Sequence, residues 1–165
     1  MSLLSIIIPS YNEEQLICKT AQIICGLMEK NDISAEVLFV DDGSKDGTGN
    51  EIIKVSRKYD DIVGIHFSRN FGKEAAMFAG LEMAAGDCSV IIDCDLQHPP
   101  EKIIEMYRLW EQGYEVVEGV KISRGKEAKI HTVAADIFYS LISMTTKMDL
   151  KASSDFKLLD KKVVE

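Results

Sequence analysis

The sequence predicts an α/β domain whose mostly parallel sheet is covered by helices on both faces. Three observations lead there. Short apolar runs recur along the chain, each followed by a stretch with helical spacing. The runs at 4–9 and 36–40 are apolar without alternation, as strands buried on both faces are. Polar clusters close three of the runs, at 9–13, 41–44 and 93–97, and in a parallel sheet such ends share one edge.

Residues 4–9 (LSIIIP) form the first strand. Asn12 is placed to cap the following helix, where Leu16, Ala21, Ile24 and Leu27 keep one face apolar as far as Lys30. Asn31 and Asp32 break it. Residues 36–40 (EVLFV) are a second buried strand, and the turn 43–49 carries three glycines. Asp46 or Thr48 can cap the next helix, 49–59. Residues 62–67 are a third strand, 68–73 (SRNFGK) a polar, basic loop, and 74–85 a small-residue helix ended by Gly86.

A fourth strand runs through Val90 to Ile92 into Asp93-Cys94-Asp95-Leu96-Gln97. Pro99 and Pro100 stop it, and Glu101 opens a helix that reaches Glu111 and is closed by Gly113. Residues 114–120 are a fifth strand and 121–129 a basic, Gly-containing loop. Val133, Ile137, Leu141 and Met144 give residues 130–148 helical spacing. Residues 151–159 contain a short strand, and 160–165 read as the first turns of a helix at which the chain stops. No repeat, low-complexity tract or linker interrupts the 165 residues. One domain is therefore expected over residues 1–165, cut short at its carboxyl end.

Composition narrows the function. A net charge of -8 argues against nucleic acid as a partner. Cys18, Cys25, Cys88 and Cys94 have no CxxC spacing, so reduced thiols in a cytosolic compartment are expected. No run of 18 apolar residues spans a membrane, and residues 1–10 read as a strand without a basic leader. Neither G-x-G-x-x-G after the first strand nor G-x-x-x-x-G-K-[ST] occurs, against a dinucleotide oxidoreductase or a P-loop enzyme. His66, His98 and His131 are too scattered for zinc.

The chemistry gathers at the strand ends. If the backbone stays extended, Asp93, Asp95 and Gln97 point one way while Cys94 and Leu96 point back. Two carboxylates on one edge repel unless a cation lies between them, and a hard divalent ion with Gln97 as third oxygen answers that need. A nucleotide suits the remaining clusters. Asp41 or Asp42 can accept from base or ribose and Tyr11 can pack on the base. The cation, with Arg69 or Lys73, can balance a diphosphate. Singly, each cluster is an ordinary turn or helix start. Their recurrence at strand carboxyl ends favours the functional reading.

The stretches IIIPSYNEE, FVDDGSKDGT, SRNFGKEAA, DCDLQHPPE and SDFKLLD together resemble the family 2 glycosyltransferases, which have the Rossmann-like, nucleotide-sugar-binding GT-A fold. Within that family they look most like the polyprenyl-phosphate branch, the dolichyl-phosphate mannose synthases and bactoprenol glucosyltransferases. The resemblance covers essentially the whole chain. It implies that Asp93, Asp95 and Gln97 hold Mg²⁺ or Mn²⁺ on the donor diphosphate. Pro9, Tyr11, Glu13 and Asp42 would contact the nucleoside, and the loop from Arg69 to Lys73 would lie near donor or phosphate. Asp155 matches an acidic residue on the acceptor side, acting as base or orienting acceptor or sugar. Where the family usually has Ala or Pro between the carboxylates and Asp after the Gln, this chain has Cys94 and His98. Neither change removes a ligand.

The implied activity is inverting transfer of a hexose from a UDP-glucose or GDP-mannose type of donor to polyprenyl (undecaprenyl or dolichyl) phosphate. The implied place is the cytoplasmic face of the membrane, with attachment through carboxyl-terminal segments past residue 165. A homo-oligomer is compatible with this. Two alternatives stand beside it: a transferase of the same fold acting on a sugar hydroxyl in surface-polysaccharide assembly, and a nucleotide-binding module without turnover.

Overall fold

The computed structural model describes residues 2–119 and 156–164. The expected basic loop 121–129, the helix 130–148 and Asp155 lie outside the described residues.

The described strands form a six-stranded sheet of order β3-β2-β1-β4-β6-β5. They are β1 (Leu4–Ser10), β2 (Ala35–Asp41), β3 (Ile62–His66), β4 (Cys88–Ile91), β5 (Val116–Glu118) and β6 (Lys157–Asp160). The first four are parallel, with Ile6 opposite both Val37 and Val90. β6 runs antiparallel between β4 and β5. The helices are α1 (Ile17–Lys30), α2 (Thr48–Lys58), α3 (Lys73–Met83) and α4 (Glu101–Glu111), and one helical turn, Lys161–Val164, follows β6.

Every residue of β1 is buried, as its unbroken apolar run predicts. Alternate residues serve opposite faces. Leu4, Ile6 and Ile8 join Phe39, Val90 and Leu158 in the larger core, which also takes Ile17 and Ile24 of α1, Ile52 of α2 and Ile103 of α4. Ile7, Leu38, Val40 and Ile91 face the other way, against Ala76 of α3. Helices therefore cover both faces, in agreement with the predicted fold class.

Topology singles out one place on this sheet. From β1 the chain builds outward to β2 and then β3. It then returns to the opposite side of β1 to lay down β4. The carboxyl ends of β1 and β4 thus flank the point where the winding reverses, and open α/β sheets bind ligands there.

Three local expectations are corrected. Asn12 does not cap α1: its φ is 56°, the helix begins at Ile17, and Leu16 holds the N-cap position without a side-chain bond. β4 stops at Ile91, so 93–97 is a turn and not a strand extension. β5 is confined to Val116–Glu118, shorter than the predicted 114–120. A fourth correction falls at α2, where Gly47 holds the N-cap position without a side-chain bond; Asp46 instead closes the turn before it, its Oδ1 accepting the Thr48 N–H at 3.0 Å and the Thr48 hydroxyl at 2.5 Å.

Candidate active site

The loops after β1 and β2 are bonded into one body. The Asn12 N–H donates to Ser44 Oγ at 2.9 Å, and Asn12 Oδ1 accepts the Lys45 N–H at 2.9 Å. The Glu13 N–H donates to Thr48 Oγ1 at 2.8 Å, and Glu14 Oε2 accepts the Gly47 N–H at 2.7 Å. The left-handed backbone at Asn12 is what turns its amide and side chain onto the second loop. The loop after β3 joins at Gly43, whose φ is 65° and where a Cβ would collide with the backbone of Arg69. Only glycine meets both conditions.

The two adjacent carboxylates of β2 have separate tasks. Asp42 is buried; its Oδ1 accepts the Phe71 N–H at 2.7 Å and its Oδ2 the Gly72 N–H at 2.9 Å. It lines the cleft described below and moors the 69–73 loop over it. Asp41 points elsewhere, accepting the Ser44 N–H at 2.9 Å and lying 3.3 Å from His66 Nδ1. Asp41 is not among the cleft-lining residues. Neither is Arg69, whose guanidinium lies over the Phe71 ring at 4.7 Å.

Beyond β4, the Leu96 N–H bonds back to the Asp93 carbonyl at 3.1 Å with Leu96 at φ 52°, closing a tight turn. The Cys94 carbonyl accepts the Thr20 hydroxyl at 2.7 Å, so α1 fixes the turn from behind. Cys94 is in the core and Leu96 packs against it, while Asp95 and Gln97 are exposed. The expected in-and-out pattern is present, produced by a turn. Burial pushes the Cys94 thiol up to about 11, an inert and structural cysteine. The turn keeps Asp93 and Asp95 on the cleft and leaves Gln97 off its lining; the Gln97 N–H donates to Asp95 Oδ1 at 3.1 Å.

The cleft itself holds about 280 Å³ between the ends of β1 and β4. Pro9, Tyr11 and Glu13 form one wall, and Asp93 and Asp95 another. Asp42, Asn70, Gly72 and Lys73 close it from the β2 and β3 side. Lys73 Nζ lies 2.7 Å from Asp93 Oδ1. Asn70 and Gly72 belong to the loop from Arg69 to Lys73 that the resemblance puts near donor or phosphate, although neither is singled out there. A larger cavity of about 710 Å³ opens between α1 and the starts of β2 and β3, lined by Cys25, Ala35 and Asp61. It collects no strand carboxyl end and lies away from the reversal point, so size does not make it the site.

Crowding of negative charge is visible at Glu13. Its carboxyl is raised above the ordinary value of 4.5, first by burial and then by the Asp95, Asp46 and Asp93 carboxylates. A raised folded pKa contributes nothing while both states are protonated and becomes destabilising as pH climbs from the unfolded value through the folded one. Glu13→Gln is therefore expected to raise the melting temperature of chelator-treated protein at neutral pH and to leave it little changed at about pH 4. Melting curves at the two pH values check this. A gain at acid pH equal to the neutral one contradicts the assigned cause.

The chain as a whole is similar to known proteins. The sequence model described as Glycosyl transferase family 2 matches residues 5–158. The Bacillus subtilis (strain 168) protein named "Uncharacterized glycosyltransferase YkcC" is 43% identical over 163 residues, covering 98% of this chain and 50% of that one. The bactoprenol glucosyl transferase of Shigella phage SfV is 33% identical over 163 residues, with 98% and 53% covered. The chain thus spans about half the length of the curated relatives it matches. Among solved structures, the mannosyltransferase PcManGT from Pyrobaculum calidifontis, in complex with GDP-Man and Mn²⁺, superposes with a TM-score of 0.61 at 27% identity. That match covers 72% of this chain and 35% of that one. With a GT-A sheet, its loops joined over the β1/β4 reversal and a family match from the first strand to the last, the chain belongs to glycosyl transferase family 2.

Proposed function

We propose that this chain carries the donor site of an inverting hexosyltransferase that moves a sugar from a nucleoside diphosphate to polyprenyl phosphate. The observation that carries the reading is the pairing of Asp93 and Asp95 on an acidic cleft at the β1/β4 reversal. Relatives named bactoprenol glucosyl transferase support glucose as the sugar and a polyprenyl phosphate as the acceptor. The solved relative bound to GDP-Man and Mn²⁺ supports a nucleotide sugar and a divalent ion.

The residues fit a hard divalent cation. Glu13, Asp93 and Asp95 put three carboxylates on one small cleft, and the Glu13 carboxyl is raised by burial first and by its acidic neighbours second. Among the described residues no group of three His, Cys, Asp or Glu side chains encloses a metal by itself. An open arrangement suits Mg²⁺ or Mn²⁺, which take one or two carboxylates and complete their shell with substrate phosphates and water. Asp93 and Asp95 would hold the ion, which would supply Lewis-acid stabilisation of the departing diphosphate. Gln97 takes no part in this assignment.

The protein's own groups do the positioning. Exposed Tyr11 beside buried Pro9 offers the base a packing surface, and Asp42 brings an acceptor from the β2 side. A phosphate acceptor is already largely ionised near neutral pH, its second pKa being about 6, so no strong base is required. Asp155 is assigned to the acceptor side, to orient acceptor or sugar. Among the described residues no helix is long and apolar enough to cross a membrane.

The test is transfer of radiolabelled hexose from UDP-glucose or GDP-mannose into a product soluble in organic solvent, with polyprenyl phosphate in detergent. Label that appears only in water-soluble saccharide identifies a sugar hydroxyl as acceptor. Nucleotide binding without any transfer identifies a binding module.

A further inference from the structure

Lys73 stands out among the residues around the cleft. Among the described residues it is the only cationic side chain lining the cleft, where Glu13, Asp42, Asp93 and Asp95 supply four carboxylates. Its ammonium is already committed to Asp93, at 2.7 Å from Oδ1. Its backbone is fixed: Lys73 is the first residue of α3, directly after Gly72, whose amide is held by buried Asp42. Its side chain is 38% exposed and ends a flexible four-carbon stem, so the ammonium can change partner without moving the helix.

We propose that Lys73 is an internal counter-ion of the metal site. In donor-free protein its ammonium holds Asp93 in competition with the divalent cation, and it transfers to the donor's diphosphate when nucleotide and metal bind together. This rests on the donor-site reading above. An ammonium and a divalent ion on one carboxylate repel each other, so each weakens the other's hold on Asp93. A diphosphate entering the cleft reverses the relation, because its oxygens give the ammonium a new partner and leave Asp93 to the metal. The effect of Lys73 therefore changes sign with the ligand present. It opposes metal alone and favours metal with nucleotide. Lys73 is a positioning residue here, and it keeps the site from closing on a bare ion.

The experiment measures Mn²⁺ affinity of the nucleotide-free chain by electron paramagnetic resonance, for wild type, Lys73→Met and Lys73→Arg. It then measures UDP and GDP affinity in saturating Mn²⁺. Lys73→Met is expected to bind Mn²⁺ alone about threefold more tightly, the worth of a partly exposed ion pair. The same variant is expected to bind the nucleotide about tenfold more weakly, the loss of a charged hydrogen bond. Lys73→Arg returns both values towards wild type. Lys73→Gln repeats the comparison if melting shows that Lys73→Met has lost its fold. Unchanged or weaker Mn²⁺ binding in the neutral variants overturns the proposal and leaves Lys73 an ordinary phosphate ligand. No Mn²⁺ binding by wild type or variants, with nucleotide or without, removes the metal reading of the donor site and this inference with it.

Discussion

Asp95→Asn abolishes most of the stabilisation that UDP or GDP confers in the presence of Mn²⁺, while the unliganded protein keeps its fold. At a nucleotide concentration of about one hundred times Kd, binding adds about 2.7 kcal/mol to stability, and nearly all of it is expected to disappear. The local structure explains why the loss is confined to binding. Asp95 is exposed, and it accepts the Gln97 N–H through Oδ1, which an amide oxygen can also do. Removing its charge relieves Glu13, so the unliganded variant is expected to melt no lower than wild type. Melting curves with nucleotide and Mn²⁺, and with nucleotide and chelator, measure both parts. An equal nucleotide increment in wild type and variant contradicts the role assigned to Asp95.

Asp42→Ala is expected to damage stability and affinity together. The buried carboxylate accepts two backbone amides, Phe71 N–H and Gly72 N–H, and truncation strands both. Each unsatisfied buried donor costs about 1–3 kcal/mol, less whatever water recovers. The loop that it moors carries Asn70 and Lys73 onto the cleft, so nucleoside affinity is expected to fall at least about tenfold with the lost acceptor and the loosened loop. Asp46→Ala serves as the contrast. It removes the turn acceptor at Thr48, costs about 1 kcal/mol, and leaves affinity unchanged. Chemical denaturation and nucleotide titration separate the two. Full nucleotide affinity in folded Asp42→Ala contradicts the placement of the nucleoside.

Much of this arrangement was legible from residue order because strand burial leaves a strong mark. The runs at 4–9 and 36–40 have no polar alternation, and both became buried parallel strands. Clustering of acidic residues after the strands corresponds to the sheet edge that carries the cleft. Local geometry was harder to read where tertiary bonds outweigh propensity. Asn12 has the chemistry of a helix cap, yet Ser44 and Lys45 across the cleft edge claim its amide and side chain. Asp93 to Gln97 reads as an extended alternation, but Thr20 of α1 and a left-handed Leu96 fold it into a turn, and Gln97 is carried off the lining. Asp41 and Asp42 are indistinguishable as neighbours in sequence. Only the approach of the Phe71 and Gly72 amides to one and His66 to the other separates them. The insertion of β6 between β4 and β5 is a long-range pairing that no local pattern records.

The donor site at the β1/β4 reversal is open to direct observation. Its most direct measurement is paramagnetic broadening of backbone amide resonances when Mn²⁺ is added to the chain saturated with UDP or GDP. The amides of Glu13, Gly72, Lys73, Cys94 and Asp95 are expected to broaden first, while those of Cys25, Tyr59 and Asp61 beside the larger cavity stay sharp. Broadening centred on α1 and the starts of β2 and β3, with the strand ends untouched, would contradict it.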